Sequence, residues 1–327
     1  MAAAAGVDVS TVSKVLSGAA ISVRAETRAR IEQAAAELRY RPDASARSLR
    51  LSRTGAIGML VPDFTNAVWS GIVRSAVHEA EAQGRVVLIA EMDPDQSPAG
   101  YLHLVHERRI DGLLVATARD QSSLVAELEH DSVPHVFVNR RGGERSLSVL
   151  VDDEAGAVAG TRALIEAGHT RIGLIGGPPD IDTSRRRFDG FERTRTAAGL
   201  PDPVVTSGPY SAPGGYRAAQ ELLAAPGPRP TAVLAANLMM ALGALAAFAE
   251  AGVGVPGDMS MVAYDDAELA GFTQPAMTTV AMPHQEMGSI AVRLLERVLA
   301  GEPAESIVVP TPPRLIERDS IAPPRAS

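Results

Sequence analysis

Cysteine is absent from the 327 residues, which excludes disulfides, thiolate zinc sites and cysteine nucleophiles. Lysine is nearly absent: Lys14 stands against 30 arginines, a bias of genome composition more than of chemistry. No run of 18 uncharged apolar residues occurs, so no segment is expected to span a membrane. The start, Met1 to Gly6, has no basic stretch followed by an apolar one, so no secretory signal is expected. There is no G-x-x-x-x-G-K-[ST] loop and no G-x-S-x-G elbow. The glycines of Gly173-Leu-Ile-Gly-Gly-Pro-Pro179 lack the G-x-G-x-x-G spacing. His103 and His106 lie at i, i+3 without a third ligand and read as surface residues, not a metal pair. These absences lead us to expect a soluble cytoplasmic protein that is not an enzyme and takes neither cofactor nor metal.

What is present is a chain long enough for two or three domains, with 46% hydrophobic residues and a net charge of −8. The charge is uneven. Residues 1–53 hold nine bases and five acids, a net +4, leaving −12 on the rest. A small basic head on a large acidic body points to a polyanionic partner for the head.

The head reads as helices. Ser10-Thr-Val-Ser-Lys-Val-Leu16 sets Val12, Val15 and Leu16 on one side at i, i+3, i+4, with Gly6 just before it and Gly18 after it. A further helix from about Ala25 to Leu38 carries Ile31, Ala34, Ala35 and Leu38 on one stripe. Helix, tight turn, helix and a supporting helix is the helix-turn-helix arrangement. It presents its second helix to the DNA major groove, so Val9, Ser10, Thr11 and Lys14 would face base edges or phosphates. The stretch Tyr40 to Arg50 then offers Pro42 as a helix start but too few apolar side chains to be helical alone.

From Gly55 the pattern alternates. Apolar runs at 56–61, 85–90, 112–116 and 135–138 are separated by amphipathic helices, and the pattern restarts at 171–176, 231–236 and 260–264. Strands apolar on both faces predict parallel sheets covered on both sides. The fold class expected is thus α/β: a small all-α head plus a core of two doubly wound parallel-sheet lobes. Ligands of such sheets sit outside the carboxyl ends of strands. The polar residues there are Asp63, Asn66, Thr117, Asn139, Arg140, Asp152, Asp153, Thr183, Asn237 and Asp265.

At this point the chain resembles the lac repressor/galactose repressor family of bacterial transcription regulators. The matching segments include Ser10-Thr-Val-Ser-Lys-Val-Leu-Ser-Gly18, Leu38-Arg-Tyr-Arg-Pro-Asp-Ala-Ser-Ala-Arg-Ser-Leu49, Ile57-Gly-Met-Leu-Val-Pro-Asp63, Arg109-Ile-Asp-Gly112, Asp189-Gly-Phe191, Ala235-Ala-Asn237 and Val255-Pro-Gly-Asp258. They run in family order from the first residues to about Ser320. The resemblance implies a DNA-binding head at 1–40, a hinge helix and linker at 41–54, and a periplasmic-binding-protein-like core at 55–327. Its first lobe would take 55–153 plus 283–310 and its second 154–282 plus 311–323. Two hinge helices of a homodimer would enter the minor groove of a near-palindromic operator, with Ala46 and Arg47 at the DNA and Leu49 wedged into a base step.

For the effector, the resemblance implies Asp63, Val68 and Trp69 from the first lobe and Thr183, Arg187, Asn237 and Asp265 from the second. Their chemistry suits a small polar metabolite, a sugar by default. An indole covers a flat face, an arginine fork reaches oxygens, and a carboxylate accepts from hydroxyls. A purely core-packing Trp69 is the rival reading, and Arg185 and Arg186 read as solvated surface. Leu238 stands where many members carry aspartate, which implies a less hydrophilic ligand. The family's first helix begins earlier than Met1, so about seven further residues are expected upstream. The end of the chain lacks the leucine heptads of tetrameric members. The expected function is a ligand-responsive repressor. A solute-binding or sensor protein that does not bind DNA is the alternative, opposed by residues 1–53.

Overall fold

The computed structural model describes residues 2–16, 22–38, 53–92, 99–117, 123–143 and 145–325. The chain forms two compact units, Met1–Gly55 and Ala56–Ser327.

In the first unit, α1 (Ala2–Ala5), α2 (Val9–Leu16) and α3 (Ala25–Glu37) close on one core. Asp8 opens α2: its Oδ1 accepts from the Ser10 amide at 2.8 Å and its carbonyl accepts from Thr11 and Val12. This satisfies amides that the first helical turn leaves unpaired, and the Ser10 bond holds the Asp8 carboxyl below its ordinary value. The core joins Ala5, Val12, Val15, Ile31 and Ala34. Leu38, expected on the same stripe, follows the last turn and is 55% exposed.

The second unit holds two sheets. The first contains β1 (Ala56–Val61), β2 (Val86–Glu91), β3 (Leu113–Val115), β4 (His135–Val138), β5 (Leu147–Leu150) and β11 (Ile307–Val308). The second contains β6 (Ile172–Gly176), β7 (Val205–Ser207), β8 (Ala232–Ala235), β9 (Ser260–Tyr264), β10 (Thr278–Ala281) and β12 (Arg314–Ile316). The spatial orders are β11-β5-β4-β3-β1-β2 and β12-β10-β9-β8-β6-β7. Every pairing is parallel except the edge pair β10–β12. Central strands such as β8 (Ala-Val-Leu-Ala) and β9 are buried throughout, as sheets covered on both faces require.

Helices α4 (Ala67–Ala82), α5 (Ala99–His106), α6 (Ser123–His130) and α11 (His284–Leu299) belong with the first sheet. There α11 packs on α4 and under β3, β4 and β5. Helices α7 (Asp153–Glu166), α8 (Asp182–Ala197), α9 (Ala212–Ala224) and α10 (Leu238–Glu250) belong with the second. Helices α9 and α10 approach closely enough that a Cβ on Gly243 would lie 1.8 Å from the Ala212 carbonyl oxygen. Among the described residues no helix is long and apolar enough to cross a membrane.

The lobes interleave in sequence. The chain passes from β5 to α7, returns from β10 to α11, and passes over again between β11 and β12. In each sheet the chain leaves its first strand (β1 or β6) toward one edge and then builds toward the other. That reversal opens a crevice at the carboxyl ends of the strands.

Candidate functional site

At those carboxyl ends lies a buried polar cluster. Asn139 and Arg140 follow β4, Asn237 follows β8 and Asp265 follows β9, while Asp153, Asp182 with Thr183, and His284 start α7, α8 and α11. All are buried. Asn139 and Asp265 adopt φ of 56° and 68°, the left-handed region that short polar side chains tolerate best. The strands thereby turn sharply at their ends.

Charge is paired with care. Arg187 Nε donates to Asp153 Oδ1 at 2.7 Å, and Arg187 Nη1 donates to the Ala236 carbonyl. Arg187 Nη2 also faces Asp265 Oδ1 at 3.6 Å. The guanidinium lies over the Tyr264 ring, 4.3 Å from its centroid, a cation–π contact. Arg186 bridges Asp153 and Asp182. It is 9% exposed, which corrects the expectation of a solvated Arg186. The helical period puts 182, 183, 186, 187 and 190 on the buried side of α8, leaving only Arg185 of the run in solvent.

Burial alone raises the Asp153 carboxyl, but Arg187 and Arg186 outweigh it and hold its pKa low. For Arg187, burial is outweighed by Asp153 and Asp265, so its affinity for the proton rises. Burial keeps the His284 imidazole below its ordinary pKa despite Asp265. Burial likewise pushes the Tyr264 phenol well up, and its hydroxyl donates to the Asp153 carbonyl.

Among the described residues, contacts between the lobes include the following. Arg140 Nη1 donates to Thr183 Oγ1 at 3.3 Å. His284 Nε2 lies 3.6 Å from Asp265 Oδ1, and Arg141 Nε lies 3.6 Å from Asp182 Oδ1. Among the described residues, six buried polar atoms of this cluster have no hydrogen-bond partner: Asn139 Oδ1, Arg140 Nε, Arg186 Nη2, Asn237 Nδ2, Asp265 Oδ1 and His284 Nε2. Native proteins leave few such atoms, and each calls for an explanation such as a ligand. A cavity of about 660 Å³ adjoins it, lined by Val68, Gly71, Asp266 and His284 among others.

Of the residues expected at the effector site, Thr183, Arg187, Asn237 and Asp265 lie in this cluster. Asn237 also caps α10, its Oδ1 accepting from the Met240 amide at 2.7 Å. Trp69 is 3% exposed and packs in the main core, with Arg140 5.8 Å above its ring. Val68 is half-buried beside the cavity. Asp63 is half-buried too and turns its Oδ1 to the amide and hydroxyl of Thr65, both at 2.7 Å. Leu238 is buried in the core of the second lobe. Asn139 and Arg140 had only their strand-end position to mark them, while His284 and Tyr210, which bonds Ser184 at 2.7 Å, carried no signal.

In the head, Val9 (71% exposed), Ser10 and Lys14 are exposed and Thr11 is half-buried, opposite the buried Val12 and Val15. Ala46, Arg47 and Leu49 lie outside the described residues. His103 and His106 are exposed and face Glu107 and Asp131, and no group of three or more potential metal ligands occurs among the described residues.

Comparison with known proteins accords with this geometry. Residues 1–43 match bacterial regulatory proteins of the lacI family, and residues 161–321 match a periplasmic binding protein-like domain. The chain is 34% identical over 326 residues to the HTH-type transcriptional repressor PurR of Klebsiella pneumoniae, covering 97% of this chain and 94% of that one. It is 34% identical over 321 residues to the ribose operon repressor of Escherichia coli K12, covering 97% of each. Among solved structures, the lac repressor dimer bound to operator and an anti-inducer superposes with a TM-score of 0.84 at 29% identity, covering 98% of this chain and 97% of that one. With this sequence, this two-lobed core and this head, the chain belongs to the lacI family of bacterial regulatory proteins and is a ligand-responsive, DNA-binding transcriptional repressor.

Proposed function

We propose that this repressor binds a near-palindromic operator as a homodimer, and that a small polyhydroxylated metabolite, a sugar by default, sets its operator affinity from between the lobes. The observation that carries the reading is the set of six buried polar atoms without hydrogen-bond partners on the strand ends and helices of both lobes. Acceptors (Asn139 Oδ1, Asp265 Oδ1) and donors (Arg140 Nε, Asn237 Nδ2) are both present there, which suits hydroxyl groups, each donor and acceptor at once. Thr183, Arg187, Asn237 and Asp265 are assigned to the ligand, with Asp63, Val68 and Trp69 bordering it from the first lobe.

The head is assigned residues 1–40, with Val9, Ser10, Thr11 and Lys14 toward the major groove. The hinge is assigned 41–54, with Ala46, Arg47 and Leu49 toward the minor groove. A ligand that replaces the Arg140–Thr183 and His284–Asp265 contacts changes the relative energy of open and closed lobes, and acts only through its differential affinity for the two. A hundredfold change in operator affinity needs about 2.7 kcal/mol of such coupling.

The test begins with a thermal-shift screen of sugars and nucleosides, since a ligand of the native form raises its melting temperature. Asp265→Ala is then expected to retain operator binding and lose the response to the ligand found. Simultaneous loss of both would make Asp265 structural and overturn its assignment.

A further inference from the structure

Three arginines are buried in the cluster, and they are not equivalent. Arg186 is matched by Asp153 and Asp182, and Arg187 by Asp153 and Asp265. Arg140 is 6% exposed and, among the described residues, has no carboxylate within 4.0 Å. Its Nη1 donates to the Asn139 carbonyl at 2.7 Å and to the Thr183 hydroxyl at 3.3 Å, both neutral acceptors. Its Nε is buried without a partner. The Trp69 ring beneath it, 5.8 Å away, offers only a weak quadrupole.

A desolvated guanidinium with no carboxylate in contact is costly: burial weakens its hold on the proton, Arg187 and Arg186 add like charge, and Tyr210 and Asp153, not in direct contact, offset this only in part. Nε, which has no hydrogen-bond partner among the described residues, and Nη2 form one straight edge of the guanidinium. That edge takes two oxygens of a carboxylate or phosphate side by side. A neutral sugar hydroxyl would satisfy Nε but leave the charge uncompensated.

We infer that the metabolite recognised between the lobes is an anionic polyol, a sugar acid or sugar phosphate, whose anionic oxygens pair with Arg140 while its hydroxyls reach Asn139, Asn237 and Asp265. This inference rests on the interlobe reading proposed above and specifies the chemistry of its ligand.

The test is isothermal titration of the full chain with two matched sets: ribose, ribonate and ribose 5-phosphate, and glucose, gluconate and glucose 6-phosphate. In at least one set an anionic member is expected to bind tenfold or more tighter than its neutral parent. Which member does so tells carboxylate from phosphate. Arg140→Gln should weaken that anion by about thirtyfold or more, and Arg140→Lys, which keeps the charge but not the fork, should fall between. The wild-type comparison needs no variant, so a variant that fails to fold leaves the inference testable.

A neutral parent that binds as tightly as its anionic derivatives overturns the inference. So does an equal affinity of wild type and Arg140→Gln for the anion. If a neutral sugar binds and Asp265→Ala abolishes that binding, the interlobe reading stands and the charge assignment alone falls. If no member of either set binds, both fall.

Discussion

Replacing Asp153 by asparagine keeps the shape of the side chain and removes its charge. Asp153 is fully buried, and both oxygens are taken by arginines, Oδ1 by Arg187 and Oδ2 by Arg186. Removing one partner of a buried ion pair costs about 3–5 kcal/mol, because the remaining charge stays buried and unmatched. At about 2–4 °C per kcal/mol for a unit of this size, the melting temperature should fall by roughly 6–20 °C. Calorimetry at pH 7 on wild type and variant measures it. The pH dependence gives a second reading. The folded carboxyl titrates below its unfolded value, so its contribution is complete above about pH 4 and is lost as pH falls through the folded pKa. The two melting curves should therefore converge in acid. A variant within about 2 °C of wild type at pH 7, or a gap that persists undiminished in acid, would refute the claim that this charge organises the cluster.

Other consequences are open to measurement. Ile31→Ala, at the centre of the head's core, should cost about 2–4 kcal/mol and abolish operator binding while the core unit still binds ligand; unchanged operator affinity would contradict it. Lys14→Ala should reduce the slope of log affinity against log salt by about one, and a slope equal to wild type would remove Lys14 from the phosphate contacts. Burial holds His135, His169 and His284 below their ordinary pKa. Folding therefore resists their protonation, and stability should decline as pH drops below about 6.5 toward the folded values. Melting scans from pH 7.5 to 5 check this, and His284→Gln should flatten the decline; a decline as steep as wild type would exclude His284 as a contributor.

The parts of the fold that the sequence announces are those where one physical requirement dominates. Runs such as Ile57 to Val61, and Met261 to Tyr264, are buried on both faces, so they contain almost nothing but apolar residues. Edge strands obey weaker demands. In β7 two of three residues are exposed, and β11 is two residues long and pairs with β5; neither run stands out from a loop. At the site, strand-end position marked Asn237 and Asp265 because the crevice forms there. Arg186 was misread because a run of three arginines looks like surface until the helical phase is set by Gly190 and Phe191, both buried. His284 and the unmatched charge of Arg140 could not be read at all. Pairing among Arg140, Asp153, Asp182, Arg186, Arg187 and Asp265 depends on which ends of two sheets and three helices meet.

The three passages between the lobes also bear on how such a chain can be cut and recombined. Neither lobe is an uninterrupted stretch, so no single fragment can supply one of them whole. A stop after Leu299 would strip an edge strand from each sheet at once, β11 from one and β12 from the other. Chimaeras that trade one lobe between two such proteins need matched junctions near Val151, Met282 and Val309, and a library built with a single breakpoint should yield few folded members.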